Sequence, residues 1–520
     1  MTTTTSSTLS DVPSPAPVGP TDEGGELAHG RVLLVFSGLM LGMFLAALDA
    51  TIVATALPTI VGELGGLESL SWVVTAYLLA QTVVTPLYGK FGDLFGRKTL
   101  FQIAITVFLV GSALCGIAGS IGQLIVFRGL QGLGAGGLVV LAQAIIADVV
   151  SPRERGRYQG YFGATFGVAM LIGPLLGGLL TDHLSWRWVF YVNLPVGIVA
   201  LLVTSATLPA NNRRRGEVVI DWAGTALLSA AISLLVLLTS WGGTEYDWAS
   251  PTIVGLGAGV VVLVGALVVV ERRAAEPALP LRLFRLRAVS VACAVSVVVG
   301  VAMYGGTTYL PTFLQIATGA SASNSGLLLV PLLIGLVGSS MVAGQIVSRT
   351  GRYRVFPIVG MGVATVGMYL LSRLGTDSSN LESAAAMAVF GVGLGMVMQI
   401  LVLASQNEAE VDDLGVATST VNFFRSVGGS VGVAVYGSLI SSRLADLLGD
   451  ASALSITPEE LRELPTAERV ATASAFADAI GGVFLGSVPL MLAGFGLAWL
   501  LRETALRTTS GMARRGTLDH

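Results

Sequence analysis

An acid stands inside a long apolar run: Asp49, in the segment FLAALDATIVATALPTI between Leu33 and Pro58. A carboxylate in such a run is costly to bury and is a functional-site candidate by default. Arg128 is a second charge of this kind, inside the run 121–146. An arginine there needs a partner, and Asp49 is the natural one. The pair reads in two ways. It is a place where a proton or a substrate trades against the guanidinium, or it is a static buried ion pair. Other acids, Asp148, Asp221, Glu408 and Glu410, fall near the ends of runs, and His29, His183 and His520 fall outside them. A histidine relay is therefore disfavoured, and any proton handling falls to carboxylates. Both cysteines, Cys115 and Cys293, lie within runs, which argues against a disulfide framework and against a cysteine metal site. The chain has no Walker loop, no HExxH, no GxSxG in a plausible setting and no His/Cys cluster. Neither an enzyme nor an ATP-driven engine is expected, and no metal or cofactor.

The elements that must position these residues are membrane spans. The 520 residues are 53% hydrophobic and only 12% charged, with mean hydropathy +0.78, where a soluble protein has about 25% charged residues. A span needs roughly 20 apolar residues. Fourteen runs qualify: 32–58, 70–89, 99–118, 121–146, 158–181, 188–207, 221–242, 252–270, 288–316, 324–347, 355–374, 383–406, 416–440 and 478–501. The expected fold class is all-α integral membrane. Residues 1–31 are rich in Thr, Ser, Pro and Gly without an apolar core, and read as a disordered tail rather than a cleavable signal. With a cytoplasmic N-terminus, 22 of the 29 lysines and arginines fall on one set of loops and tails and five on the other. That bias predicts an even number of spans with both termini cytoplasmic. Arginine greatly outnumbers lysine and Ala, Val and Gly abound, which hints at a GC-rich bacterial genome and hence a bacterial cytoplasmic membrane.

The runs group as six, two and six. A first six-helix domain covers 32–207, and two extra spans with cytoplasmic linkers cover 208–287. A second six-helix domain covers 288–502, with a long extracellular loop at 441–477, and 503–520 is a cytoplasmic tail. Within that loop, TPEELREL reads as a short helix capped by Thr457 and Glu460. The extra spans carry no mid-membrane charge and are expected to pack on the periphery. An internal echo links the two large blocks. Gly89-x6-Gly96-Arg97 follows the second run, and Gly344-x6-Gly351-Arg352 follows the tenth. Pseudo-symmetric halves of this kind place substrates at the midplane between them. Ser348 stands where the first copy has Asp93, so a charge role at that position is one-sided.

Seven motifs carry a family resemblance. Gly89-Lys90-Phe91-Gly92-Asp93-Leu94-Phe95-Gly96-Arg97-Lys98 resembles the signature loop of the major facilitator superfamily. Its glycines suit a tight turn. Asp93 is placed to meet the positive end of a neighbouring helix, and Arg97 to pair with Asp148. It reads as a gating latch between the halves or as a topological anchor. Leu124-x3-Arg128-x2-Gln131-Gly132-x-Gly134-Ala135 resembles the family's fourth-span motif. Gly163-x3-Gly167-x5-Gly173-Pro174-x2-Gly177-Gly178 resembles its antiporter signature, with Ala169 in place of a usual glycine. On physical grounds alone these small residues and the proline equally suit plain helix packing. Leu48-Asp49-x-Thr51-Ile52-Val53-x2-Ala56-Leu57-Pro58 resembles the first-span motif of drug:proton antiporters. Ser185-Trp186-Arg187-Trp188-Val189-Phe190-x2-Asn193-Leu194-Pro195, Asp221-Trp222-x-Gly224 and Gly415-x-Ala417-x6-Phe424-Arg425-x2-Gly428 are similar to features of the 14-span branch, the EmrB/QacA type.

The resemblance implies a major facilitator fold with 14 transmembrane helices, 6+2+6. It also implies alternating access and export of hydrophobic, often cationic, drugs or antibiotics, with the proton gradient as the energy source. Tyr77, Gln81, Gln131, Phe162, Phe166, Tyr304, Tyr309, Phe313, Gln315, Met398, Gln399, Asn422 and Phe423 supply aromatic, thioether and amide surface for a possible pocket. Each also suits packing against lipid or a neighbouring helix. Arg425 needs a partner, either in the cavity or on a neighbouring span. Expected partners are small hydrophobic or cationic molecules, protons and the bilayer, with no nucleic acid, and the chain is expected to be a monomer. Two other readings stay open: a dedicated exporter of one metabolite or lipid, and a membrane scaffold for which Asp49 would be replaceable.

Overall fold

A computed structural model describes residues 21–507, apart from 23–25, 28, 65–69, 209–219, 244, 275, 318–326 and 449–464. Of the disordered tail expected at 1–31, residues 1–20 lie outside the described residues, as does the short helix at TPEELREL; Thr21–Asp22 and Glu26–Leu27 instead pair as two short antiparallel strands and a helix begins at His29. Fifteen α-helices follow one another among the described residues. They are α1 His29–Leu64, α2 Leu70–Phe95, α3 Arg97–Gly116, α4 Ile121–Val149, α5 Pro152–His183, α6 Trp188–Tyr191, α7 Asn193–Thr207, α8 Trp222–Trp241, α9 Pro251–Glu271, α10 Arg287–Ile316, α11 Val330–Thr350, α12 Val355–Ser372, α13 Asn380–Glu408, α14 Leu414–Leu448 and α15 Thr466–Trp499. Thirteen helical segments are long and apolar enough to cross a membrane. The expected span 70–89 falls within the 26-residue helix α2, which is not among these thirteen. The loop expected at 441–477 is shorter than its sequence suggests: α14 runs on to Leu448 and α15 begins at Thr466.

Two large apolar cores form, one from residues between Val32 and Leu208 and one from residues between Leu283 and Leu506. The halves meet along two seams, α2 with α14 and α5 with α11. The echo in the sequence has a structural counterpart. Gly96, between α2 and α3, has φ 96°, and Gly351, between α11 and α12, has φ 73°. Both copies of the motif thus end in a backbone conformation that side chains resist.

The extra helices are not merely peripheral. Leu228, Ile232 and Val236 of α8 share an apolar cluster with Leu79, Val83 and Leu87 of α2 and with Phe423, Phe424 and Val427 of α14. α8 therefore lies over one seam between the halves. α9 is the most exposed of the long helices, with few buried residues. The segment after α9 crosses the same seam. Lys90 Nζ lies 2.8 Å from Glu276 Oε2, and Arg282 Nη2 lies 2.9 Å from Asp413 Oδ2.

Candidate functional site

Asp49 is fully buried, and every contact to its carboxylate comes from its own half. One oxygen lies 2.6 Å from Arg128 Nη1. The other accepts from Gln131 Nε2 at 2.7 Å and from Asn193 Nδ2 at 3.0 Å. α1, α4 and α7 thus converge on one acid. The spacing of α4 puts Arg128 and Gln131 one turn apart on one face, and Arg128 also donates to Gln131 Oε1 at 2.8 Å. The guanidinium sits 4.1 Å from the Tyr77 ring centroid, a cation–π contact from α2. Asn193 Nδ2 reaches Ser112 Oγ at 3.0 Å, and that hydroxyl donates to the Phe190 carbonyl at 2.8 Å. Asn193 Oδ1 is buried without a partner. An unmet acceptor beside a paired carboxylate suits a site whose proton inventory changes, since a protonated neighbour would be a new donor.

The Ser185–Pro195 segment forms the outer cover of this site. Trp186 Nε1 donates to Glu63 Oε2 at 2.7 Å, and Arg187 Nη1 lies 2.5 Å from Glu63 Oε1. Arg187 also stacks over the Trp186 ring at 4.3 Å. These contacts hold the Glu63 carboxyl below its ordinary value of 4.5. Sequence reasoning reached Asp49, Arg128, Gln131 and Tyr77, but gave Asn193 no role and missed Ser112. Asn193 stands in a motif that could have flagged it; Ser112 carries no signal of its own.

The arginine-rich end of the bundle is sealed. Asp93 pairs with Arg97 one turn on, and Arg97 Nη1 lies 2.7 Å from Asp148 Oδ2 and donates to the Ala144 carbonyl at 2.9 Å. The Asp93 carboxylate accepts from the Gly415 and Val416 amides at 3.1 and 3.0 Å. Those amides open α14 of the other half, so the acid caps a helix across the seam. Gly89 allows the approach: a β-carbon there would collide with Ser419 and with the Gly415 carbonyl. The opposite seam has a similar plan without the acid, and there Arg153 donates to the Ser348 and Arg349 carbonyls at 3.4 and 3.3 Å. Ser348 Oγ accepts from the Arg157 amide at 3.0 Å, in the opening turns of α5. A small apolar plug of Ala147, Ala409, Val411, Leu414 and Ala417 joins the halves between these points.

α5 divides into two working stretches. Gly163 packs on Ser340 and Gly167 on Val337, both on α11 of the other half. Gly173 packs on Thr51, and Gly177 on Thr55 and Ile52, all on α1. Pro174 lies between these last two within the helix, and Thr51 Oγ1 donates to the Ala169 carbonyl at 3.1 Å. Gly178 meets nothing within 4 Å, so it takes no part in this packing. Thr51 is two residues from Asp49, so one helix touches both the seam and the acid's own helix.

The thirteen pocket candidates and Arg425 do not form one surface. Tyr77 and Gln131 belong to the Asp49 site. Phe162 is buried in the core of its own half, 5.4 Å from the Phe36 ring, and Phe166 packs against that core. Gln81 is half-buried on α2 with its backbone against Gly136. Phe313 lies in the second core, with Met398 against it, and Gln315 is half-buried. Tyr309 donates to the Val433 carbonyl at 3.1 Å, and Tyr304 is exposed. Phe423 turns toward α8. Gln399, Asn422 and Arg425 meet where the halves join. The scatter follows from helix periodicity: aromatic residues along one span point to core, lipid and seam in turn. The remaining acids cap and clamp. Asp221 accepts from the Gly224 amide at 2.7 Å, opening α8, and Glu408 from the Ala288 amide at 2.6 Å, opening α10. Glu410 lies 3.9 Å from Arg282. Among the described residues no cluster of three metal-ligating side chains occurs.

Residues 39–433 match the family model described as Major Facilitator Superfamily. An uncharacterised MFS-type transporter of Mycobacterium tuberculosis is 44% identical over 501 residues, covering 95% of this chain and 73% of the relative. The multidrug transporter protein MdtP of Bacillus subtilis is 40% identical over 420 residues, covering 81% and 77%. The crystal structure of the human organic anion transporter MFSD10 (TETRAN) aligns with TM-score 0.59 over 88% of this chain and 99% of that one. At 15% identity that likeness speaks to the fold alone.

Proposed function

Because the chain belongs to the major facilitator superfamily, we propose that it is a proton-coupled antiporter exporting hydrophobic compounds, drugs or antibiotics among them, by alternating access. The arginine-rich end is the cytoplasmic one in this reading, and the helices make 14 spans, with α6 and α7 together as the sixth and α2 as the second. The membrane is a bacterial cytoplasmic membrane with both termini inside. The observation that carries the proposal is the Asp49 site: a fully buried acid held by one arginine and two amides. A carboxylate in the bilayer that serves packing alone is a costly choice, so the site favours proton binding over a scaffold role. Multidrug relatives at 40% identity support the substrate class.

Coupling has a physical route. Protonation of Asp49 would release Arg128 from half of its pairing and loosen α1 against α4. α1 is in glycine contact with α5, and α5 forms the seam with α11. A change in α1 packing is thereby felt where the halves separate, which is how a packed bistable interface switches. Remote from Asp49, the Asp93–Arg97–Asp148 group and the Gly415 amide are broken and remade as the cytoplasmic end opens.

Inside-out vesicles with an imposed proton gradient test this. Wild type should take up ethidium or another fluorescent substrate only with the gradient, and Asp49→Asn should take up none. Uptake that persists in Asp49→Asn would move coupling away from this acid. Absence of uptake by wild type across a broad substrate panel would leave the dedicated-exporter reading.

A further inference from the structure

The Asp49 site leaves a second set of buried polar groups unused, at the join between the halves. Gln143 of α4 stands at its centre, 1% exposed. Its Nε2 donates to Gln399 Oε1 at 3.3 Å, and its Oε1 accepts from Asn422 Nδ2 at 2.7 Å. Its carbonyl accepts from Gln406 Nε2 at 3.4 Å, and Gln406 also donates to Thr418 Oγ1 at 2.8 Å. Arg425 donates to Asn422 Oδ1 and closes the chain. Arg425 lies eleven residues into α14, about 17 Å from its start at 1.5 Å per residue, which is mid-membrane for a core about 30 Å thick.

The balance of donors and charge in this cluster is unequal. No carboxylate pairs with Arg425 among the described residues, and its Nη1 is buried without a partner. The side-chain carbonyls of Gln143, Asn422 and Gln399 are already used, by Asn422, by Arg425 and by Gln143, while Gln406 Oε1, further along the chain of contacts, is buried without a partner. Beside Arg425 the cluster therefore presents an unmet guanidinium donor and one uncompensated positive charge. Asp49, the acid that a cationic substrate would seek, is enclosed in its own half and saturated by Arg128, Gln131 and Asn193. On the same helix, Phe423 and Phe424 pack edge to face at 5.6 Å in the apolar cluster shared with α8.

We propose that Arg425, with Gln143, Gln399 and Asn422, is the polar pole of the substrate site. It takes a hydrophobic molecule bearing a carboxylate, phenolate or similar acceptor group, in preference to a lipophilic cation. The substrate's acceptor completes the guanidinium's hydrogen bonds. This departs from the cation preference that the sequence resemblance implies, and it rests on the exporter reading above.

The test uses purified full-length protein in detergent and two fluorescent probes of matched ring system, pyrenebutyrate and pyrenebutylamine. Pyrenebutyrate should bind at least tenfold more tightly than the amine. Arg425→Gln should remove that preference, and Arg425→Lys should keep most of it. Because the readout is a ratio of affinities within one variant, a lower yield of folded protein does not alter it. Equal or tighter binding of the amine by wild type, binding of neither probe, or an unchanged ratio in Arg425→Gln would overturn the proposal. The ratio needs no proton gradient. A tenfold preference in a protein that fails the vesicle assay would sink the antiport reading and leave this site standing.

Discussion

Two buried arginines in this chain have opposite surroundings. Arg128 meets an acid, an amide and an aromatic face within one half, and its acid is met in turn by Gln131 and Asn193. Arg425 meets a single amide oxygen at the join between halves and keeps a nitrogen unpartnered. A saturated ion pair is stable as it stands and changes only when a proton arrives. An unsaturated cation is costly as it stands and improves when a ligand arrives. In the proposed reading, this difference in bonding separates the roles: the first site serves the driving ion and the second the cargo.

The largest effect should come from breaking the saturated pair on one side only. Arg128→Ala leaves Asp49 buried and unpaired, and should cost roughly 3–5 kcal/mol. A large fall in the melting temperature in detergent would show it. Arg425→Gln removes a charge with no acid to abandon, and its melting temperature should stay near or above that of wild type. Equal losses in the two variants would erase the distinction between the sites.

Asn193→Ala tests the same contrast more gently. It removes one donor to Asp49 and should cost roughly 1–3 kcal/mol, with gradient-driven uptake reduced and the pyrenebutyrate preference intact. A lost preference would mean that the two sites are one. Lys90→Ala probes the clamp outside both sites. A part-exposed pair of this kind is worth roughly 0–1 kcal/mol, so uptake should change little at high salt and only modestly at low salt.

The smallest effect concerns the outer cover. Glu63 is held below its ordinary value by Arg187 and Trp186. A depressed carboxyl contributes stability above its unfolded value, near 4.5, that is lost as pH falls through the lower folded value. Acidification into that range should loosen the Ser185–Pro195 segment, seen as faster exchange of its amides, while Glu63→Gln should show the looser state already at neutral pH.

Much of this was legible in the chain. Asp49 and Arg128 announce themselves because charge in an apolar run is rare. The Asp93 and Arg97 contacts follow from motif position. The glycine echo foretells the paired turns at Gly96 and Gly351. Other features resist sequence reading for definite reasons. Asn193 and Ser112 are ordinary polar residues whose role depends on three helices meeting. Gln143 is an amide in a buried stretch of α4, and only the seam gives it partners across the halves. The extension of α14 and α15 into the expected loop leaves no mark in hydropathy, since helix formation outlasts the apolar run. The place of α8 was misjudged because the absence of charge says nothing about what a helix covers.

That place bears on how cargo enters. A hydrophobic compound partitions into the bilayer before it meets the protein, so the sides of the bundle matter as much as its ends. α8 lies over the α2–α14 crevice, packed on both helices through Leu228, Ile232 and Val236. A solute drifting in the lipid leaflet meets a wall there in any state in which that packing holds. Among the described residues no such helix packs over the other crevice, between α5 and α11, which is closed by glycine contacts along its own length. Under the proposed alternating access, opening of the arginine-rich end would expose that crevice to the leaflet while α8 still covers the other, so loading is expected from one flank of the membrane rather than two.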